Sequence, residues 1–458
     1  MLDELFPYQV EGAAWLAKTP QALLADGMGL GKSAQAVTAC DHVSAFNILV
    51  ICVGAARINW DREFTKFSPM DRPCNILFSG KDKVRPGVNI VSYDLIGSNE
   101  KIKKALIAAA WDVLVIDEAH YIKERSAKRT KAIYGHAKYP GIMHSSKRTW
   151  RLTGTPMPNN AGELYTHLKS AGLESRNYWD FVYEFCTGFD GDYGFKITGV
   201  KNAPKLKALM AQFTLRRKKE EVMTQLPPIT FQTVTVERSE VELDPWFYEN
   251  WKPIGIPAFL AQMEHTDSVL KQGLVLTERG HHGGMQDKIK VLEAYSRSTS
   301  TLRRYIGLAK LPRILEILDE ELKSGAIKKI VLFAMHQQVI EQTRLAFRKY
   351  GAVCLFGGTP QAKRQAAIDR FQKDPTCRVF IGQVVAAGTS ITLTAAHEVA
   401  FIEADWVPAN NAQAAMRCHR IGQTESVRVR FFVCAGSVDE DVMRAVAHKT
   451  KEIAKIID

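Results

Sequence analysis

The sequence predicts an α/β protein with two doubly wound parallel-sheet lobes and helical insertions between them. Three observations predict it. Up to about residue 160, short β-rich apolar runs alternate with helix-like segments. From Pro312 onward the same alternation resumes. Between the two, the pattern turns helical, polar and irregular. Strands that alternate with helices imply βαβ units under a parallel sheet, and 458 residues suit two or three domains.

The first lobe is expected over residues 1–160. Its strands read as ALLA (22–25), NILVICV (47–53), NIVSY (89–93), DVLVID (112–117) and TWRLT (149–153), with helix-like segments such as 32–43 and 101–110 between them. Residues 161–228 read as a helical protrusion carrying a Gly/Asp-rich loop, TGFDGDYGFKITG, and ending at the breaker Leu226-Pro227-Pro228. Residues 229–311 read as a second helical insertion, irregular and marked by RGHHGG (279–284). The second lobe is expected over 312–458. Its strands are KKIVLFA (328–334), AVCLF (352–356), RVFIG (378–382), EVAFIEA (398–404) and VRVRFFVC (427–434), followed by a lysine-rich terminal helix.

Composition narrows the class. The chain is 46% hydrophobic and 24% charged, as an ordinary globular protein is. Its net charge of +12 fits a polyanionic partner such as nucleic acid as well as a merely basic surface. No two of the eight cysteines form a C-x-x-C pair, and most sit in apolar runs, so they read as buried thiols in a reducing compartment. No stretch approaches the roughly 20 apolar residues of a membrane helix. These features predict a soluble, intracellular protein without membrane association: cytoplasmic in a bacterium or phage, nuclear in a eukaryote.

Two motifs point to nucleotide chemistry. DGMGLGKS (26–33) lies between a strand and a helix, the setting that a phosphate-binding loop requires, although Asp26 stands where the strict pattern G-x-x-x-x-G-K-[ST] has glycine. Backbone N–H groups of the turn and the helix N-terminus would face the β- and γ-phosphates, Lys32 would neutralise phosphate charge, and the Ser33 hydroxyl would ligate Mg²⁺. Asp117-Glu118-Ala119-His120 follows the apolar run VLVI, at the carboxyl end of a buried strand. Two carboxylates there call for a positive partner. Asp117 would hold Mg²⁺ and Glu118 would orient or deprotonate an attacking water.

Two further stretches complete the chemistry. Leu152-Thr153-Gly154-Thr155-Pro156, again at a strand end, offers hydroxyls that could link the nucleotide site to bound nucleic acid. In QAAMRCHRIGQ, Gln413, Arg417 and Arg420 are spaced i, i+4 and i+7, one face of a helix. They suit arginine fingers that reach a γ-phosphate.

Taken together these motifs resemble the Swi/Snf family of DNA-dependent ATPases, within superfamily-two helicases, over nearly the whole chain. FPYQ (6–9) resembles the adenine-sensing motif, with Gln9 as the contact. DGMGLGKS resembles the family's D-E-M-G-L-G-K-T, which makes residues Asp26, Gly27, Met28, Gly29, Leu30, Gly31, Lys32 and Ser33 the nucleotide loop. LVICVGAARINWDREF (49–64) and VSYDLI (91–96) resemble motifs Ia and Ib, LTGTPMPNN (152–160) motif III and LRRKKEEV (215–222) the basic segment that ends the first lobe's protrusion. KKIVLFAMHQQVI (328–340) resembles motif IV, AAGTSITLTAA (386–396) motif V and RCHRIGQT (417–424) motif VI. FCTGFDGDYGFKITGVKNAPKLKALM (185–210) and LRRYIGLAKLPRILEIL (302–318) resemble the annealing-helicase, fork-remodelling branch.

The resemblance implies two RecA-like lobes, ATP and Mg²⁺ as cofactors, and a monomeric motor that moves on duplex or forked DNA. The alternative is a strand-separating DNA or RNA helicase of the same superfamily. It assigns Lys32, Asp117, Glu118, Gln413, Arg417 and Arg420 to catalysis, with Arg420 also on the nucleotide, and Arg57, Asn59, Ser92, Gly388 and Thr389 to DNA. Separately from the resemblance, RGHHGG and the surrounding residues 254–300 read either as a second DNA-facing protrusion or as a flexible surface insertion. The sequence departs from the family at Gly27, usually Glu, at Ser33, usually Thr, and at Thr389-Ser390-Ile391-Thr392 in motif V, where the family usually has a Gly-x-Gly-Leu-Asn type of turn. A modest change in nucleotide affinity is expected from Gly27.

Overall fold

The structure is a computed structural model that describes residues 5–136, 139–191, 194–223, 226–239, 296–387, 391–420 and 422–457. It divides into two compact units, Met1–Leu226 with Glu452–Asp458, and Pro227–Lys451.

The first unit is built on a seven-stranded, all-parallel sheet. Its strands are β1 (Gln21–Leu24), β2 (Ile48–Cys52), β3 (Cys74–Leu77), β4 (Val88–Ser92), β5 (Trp111–Asp117), β6 (Ser146–Leu152) and β9 (Thr214–Leu215), in the order β3-β4-β2-β5-β6-β1-β9. An antiparallel hairpin, β7 (Cys186–Gly191) and β8 (Gly194–Val200), lies outside the sheet. Strands buried on both faces read as continuous apolar runs, which is why β2 is ILVIC with every residue buried. Alternate residues point to opposite faces. Ile48, Val50 and Cys52 meet helices α1 (Pro7–Lys18), α2 (Lys32–His42) and α3 (Arg57–Phe67) through Leu16, Val37 and Trp60. Leu49 and Ile51 meet α4 (Tyr93–Ser98), α5 (Glu100–Ala108) and α6 (Lys128–Tyr134) through Ile96, Leu106 and Ile133. The sheet is therefore doubly wound.

The second unit repeats the plan with six parallel strands: β10 (Ile229–Val236), β11 (Ile330–Ala334), β12 (Val353–Leu355), β13 (Val379–Gln383), β14 (Glu398–Phe401) and β15 (Val427–Cys434), ordered β10-β15-β14-β11-β13-β12. Ile330, Leu332 and Ala334 face one core cluster, Val331 and Phe333 the other.

Three local expectations are corrected. The Gly/Asp-rich stretch read as a loop is the β7–β8 hairpin, because Phe189, Phe195 and Ile197 alternate with polar residues and Gly191 pairs with Gly194. The irregular stretch after 228 opens with β10, which pairs along its whole length with β15. Its β-branched alternation, ITFQTVTV, is a strand signal. The boundary expected at 311/312 falls inside one helix, Ser296–Ser324, that passes through Pro312. A proline in a helix interior costs about 3 kcal/mol. Leu302, Ile306, Leu311, Ile314, Leu318 and Leu322 are all buried against the second unit's core, enough apolar burial to offset it. Residues 240–295, with RGHHGG, lie outside the described residues.

One buried polar chain in the first unit carries a pH prediction. Arg151, fully buried in β6, donates from Nε to the Tyr134 hydroxyl at 2.9 Å, and that hydroxyl meets His167 Nδ1 at 3.1 Å. Burial, helped by the nearby Arg151 and His120, pushes the His167 imidazole down to about 3. The unfolded chain then takes up a proton below about pH 6.5 that the folded chain refuses, so stability is lost as pH falls from about 6.5 toward 3. At pH 5 this costs about 2 kcal/mol. His167→Gln should remove that increment from the pH 7 to pH 5 difference in urea-unfolding free energy, and an unchanged difference would contradict the assignment.

Candidate nucleotide site

The 26–33 loop joins β1 to α2. Gly29 (φ 84°) and Gly31 (φ 69°) adopt the left-handed backbone that favours glycine. Gly31 caps α2, and a Cβ there would stand 2.2 Å from Gln9 Nε2. Gln9 is buried on top of the loop, accepting from Phe6 N at 3.0 Å and donating to Leu30 O at 3.1 Å. The expected adenine contact is thus fixed against the loop it would serve. Lys32 Nζ lies on the loop's own carbonyls, Asp26 O at 2.8 Å and Gly27 O at 3.2 Å. Ser33 is half-buried in the first turn of α2, and Met28 lies beside Gly154 of the 152–156 turn.

Asp26 is placed differently from the expectation of a nucleotide contact. It is fully buried, and its carboxylate accepts from Arg217 and Gln35 rather than facing the loop's open side. Gly27 does not use glycine's freedom. Its φ is not positive, and a Cβ would make only ordinary contacts at 3.4 Å or more. Gly27→Glu should therefore keep ATP turnover within about threefold of the parent, the range of an unstrained substitution. Loss of turnover in a steady-state assay would show that the loop cannot carry a side chain there.

Asp117 ends β5, beside β6, which carries the 152–156 turn and in turn pairs with β1, which carries the 26–33 loop. Trp60 Nε1 donates to its Oδ2 at 2.8 Å, and the Glu118 N–H to its Oδ1 at 3.0 Å. The Tyr93 hydroxyl donates to its main-chain oxygen at 2.5 Å. Burial and the neighbouring Glu118 carboxylate push Asp117 well up from the usual carboxylate range, and Trp60 and Lys32 pull it back. Glu118 sits at φ 49°, a left-handed conformation that strains a residue with a side chain and is typical of functional sites. That kink is tied by His120, whose Nδ1 lies 3.3 Å from Glu118 Oε2 and 3.1 Å from Thr153 Oγ1. Thr153 in turn accepts from Thr155 N at 3.1 Å. The two motifs, DEAH and LTGTP, thus share one histidine.

Trp60, Tyr93, Gln35 and Arg217 were not singled out in the sequence. Trp60 sits in a stretch assigned to DNA, and only its 57-residue reach to Asp117 reveals its role.

The remaining assigned residues lie along the sheet's carboxyl edge or in the second unit. Arg57 starts the helix after β2. Its Nε and Nη1 donate to Gly54 O at 3.0 Å and Leu77 O at 2.9 Å, and its guanidinium stacks 4.6 Å above the exposed Phe78 ring. Asn59 faces Glu63 at 3.5 Å. Ser92, nearly buried at the end of β4, accepts from Leu95 N and caps α4. Gly388 and Thr389 lie outside the described residues.

The expected helical stripe of Gln413, Arg417 and Arg420 is corrected. The helix is Pro408–Ala415, and Met416 N closes it on Ala412 O and Ala414 O. Gln413 and Arg417 are buried, at 6% and 3% exposure. Arg420 is half-buried beyond the helix, donating to Met416 O at 3.2 Å and Thr392 Oγ1 at 3.3 Å. Of the three, Arg420 alone retains substantial exposure.

Among the described residues no helix is long and apolar enough to cross a membrane, and no cluster of three or more His, Cys, Asp or Glu could hold a metal. Mg²⁺ needs no such cluster, since it keeps several waters and takes one or two protein oxygens beside substrate phosphates.

Comparison with known proteins places this geometry. Residues 8–294 match the SNF2-related domain and residues 310–422 the helicase conserved C-terminal domain. The chain is 30% identical over 462 residues to the SWI/SNF-related matrix-associated actin-dependent regulator of chromatin subfamily A-like protein 1 of Xenopus tropicalis, covering 99% of this chain and 45% of that protein. It is 26% identical to the DNA annealing helicase and endonuclease ZRANB3 of Mus musculus, covering 98% of this chain and 40% of that one. It thus spans less than half the length of these two relatives. It is also similar to the Sulfolobus solfataricus SWI2/SNF2 ATPase core in complex with dsDNA, at 23% identity and a TM-score of 0.44, over 99% of this chain and 97% of that one. The family model alone covers more than half of the sequence, and the chain belongs to the SNF2-related family.

Proposed function

We propose that the chain is a DNA-stimulated ATPase that couples ATP hydrolysis to movement on duplex or forked DNA. The observation that carries this is the junction of the 26–33 loop with the Asp117–Glu118 pair and Thr153 on one sheet edge. Residues arranged to hold a triphosphate there are joined to a turn that offers hydroxyls to nucleic acid.

Lys32 holds phosphate charge, the glycine turn offers its N–H groups, and Gln9 holds the base. The oxygen donors Ser33 and Asp117 fit Mg²⁺, because Asp117 is a half-buried carboxylate directly followed by a second one, an arrangement that calls for a cation. When bound, the ion supplies Lewis-acid charge at the phosphates. Glu118 orients water and accepts its proton, with His120 holding the carboxylate in place. Gln413, Arg417 and Arg420 are assigned to the γ-phosphate.

Arg57, Asn59, Ser92, Gly388 and Thr389 are assigned to phosphates of the DNA backbone, which positions the protein without reading sequence. Residues 161–228 are assigned as the first lobe's protrusion, and the motor is assigned as a monomer.

The test is ATP turnover with duplex, forked and single-stranded DNA and with RNA. Strong stimulation by duplex or forked DNA supports the proposal. Stimulation by RNA alone, or efficient displacement of a strand from a plain fork, would favour a strand-separating helicase.

A further inference from the structure

The edge strand β9 does not stop where β1 stops. The N–H groups of Leu23 and Ala25 donate to Phe213 O and Leu215 O, each at 2.7 Å, and Gly27 N donates to Arg217 O at 2.9 Å. The ladder therefore continues past β1 into the nucleotide loop. The Arg217 side chain then turns under that loop. Its Nε and its own backbone N reach Asp26 Oδ1 at 3.1 Å, and its Nη2 reaches Asp26 Oδ2 at 2.6 Å and Gln35 Oε1 at 2.8 Å. Nη1 donates to Tyr8 O, and the guanidinium lies 5.3 Å above the Tyr8 ring. Gln35, fully buried, closes the circuit by donating to Asp26 Oδ2 at 3.0 Å and Leu30 O at 3.2 Å, the carbonyl that Gln9 also holds. Room for this is made by Gly12 in α1, where a Cβ would stand 1.8 Å from Gln35 Oε1 and 2.6 Å from Arg217 Nη2.

We propose that Arg217 is a positioning residue for the nucleotide. It touches no nucleotide in this role; it fixes the first turn of the loop from below, through Asp26, Gln35 and the Gly27 N–H. A loop that binds phosphate through backbone N–H groups depends on those groups being held in advance. Asp26 is fully buried, and the guanidinium fork of Arg217 meets both of its carboxylate oxygens and holds them in place. Because Arg217 lies two residues beyond the end of β9, it also ties the end of the 161–212 segment to nucleotide affinity.

The inference rests on the reading of 26–33 as a nucleotide loop. Its test is direct binding of a fluorescent N-methylanthraniloyl ADP, without DNA, to the parent, Arg217→Ala, Arg217→Lys and Asp26→Asn. Thermal unfolding and duplex-DNA affinity are measured on the same samples. Arg217→Ala and Asp26→Asn should each weaken nucleotide binding by about tenfold or more, as expected when one member of a buried charge pair is removed. Arg217→Lys should recover part of the loss, since lysine keeps the charge but cannot span both Asp26 oxygens and Gln35. Duplex-DNA affinity should stay within about twofold, because none of the three removes a phosphate contact. Nucleotide affinity unchanged in Arg217→Ala and Arg217→Lys would overturn the inference, as would an equal loss of DNA affinity. If Arg217→Ala does not fold, Arg217→Lys and Asp26→Asn carry the same comparison. A parent that binds no nucleotide would overturn the reading of the loop itself, and this inference with it.

Discussion

Glu118→Gln is expected to lower DNA-stimulated ATP turnover by about 10³-fold while leaving nucleotide affinity nearly unchanged, within the usual span for removing a general base. Glutamine keeps the shape and the hydrogen-bonding length of the side chain but cannot take a proton. The structure makes the residue specific. It sits one position after the half-buried Asp117, at a strained left-handed backbone, and His120 Nδ1 lies 3.3 Å from its carboxylate. A merely structural acidic turn would tolerate the neutral isostere. Steady-state turnover at saturating duplex DNA, beside nucleotide affinity, checks this. A rate within about threefold of the parent, the scale of an ordinary surface change, would remove Glu118 from the chemistry.

Arg420→Ala is expected to lower kcat by about 10³-fold with little change in the KM for ATP, the signature of an arginine that stabilises charge developing on the transferred phosphoryl group. Arg420 is half-buried, and it donates to two neutral acceptors, Met416 O and Thr392 Oγ1. Arg417 differs. At 3% exposure its removal should also lower the unfolding temperature. Kinetics for the two alanine variants, with thermal unfolding beside them, separate these roles. Equal kinetic and thermal losses in both would contradict the distinction.

Much of this site was legible because its chemistry is local in sequence. The loop, the carboxylate pair and the 152–156 turn each occupy a strand end, and a buried parallel strand announces itself as a short apolar run. The central strands β2, β4, β5 and β6 were read this way. The edge strands were not. CNIL in β3 and Thr214–Leu215 in β9 are too short and too little buried to stand out, and they exist because a neighbour pairs with them. The hairpin around Gly191 and Gly194 was hidden by its turn composition, and the helix through Pro312 by a local rule that packing overrides.

The arginine stripe failed for the opposite reason. Helical spacing was extended beyond Ala415, where the helix ends. What no local pattern could show is support from a distance. Trp60 reaches Asp117 across 57 residues, and Arg217 reaches Asp26 across 191. Asp26 departs from the strict loop pattern, and the arginine that explains it lies at the other end of the unit.

The most direct test of the account is the ATP turnover of the parent chain with and without duplex DNA, beside Lys32→Ala. Lys32 Nζ, 2.8 Å from Asp26 O, is the loop's own cation and the residue on which any phosphate chemistry there depends. The account predicts turnover that rises at least about tenfold on adding duplex DNA and that Lys32→Ala abolishes, as loss of the phosphate-binding lysine implies. No hydrolysis at saturating duplex DNA, or hydrolysis that survives Lys32→Ala, would contradict it.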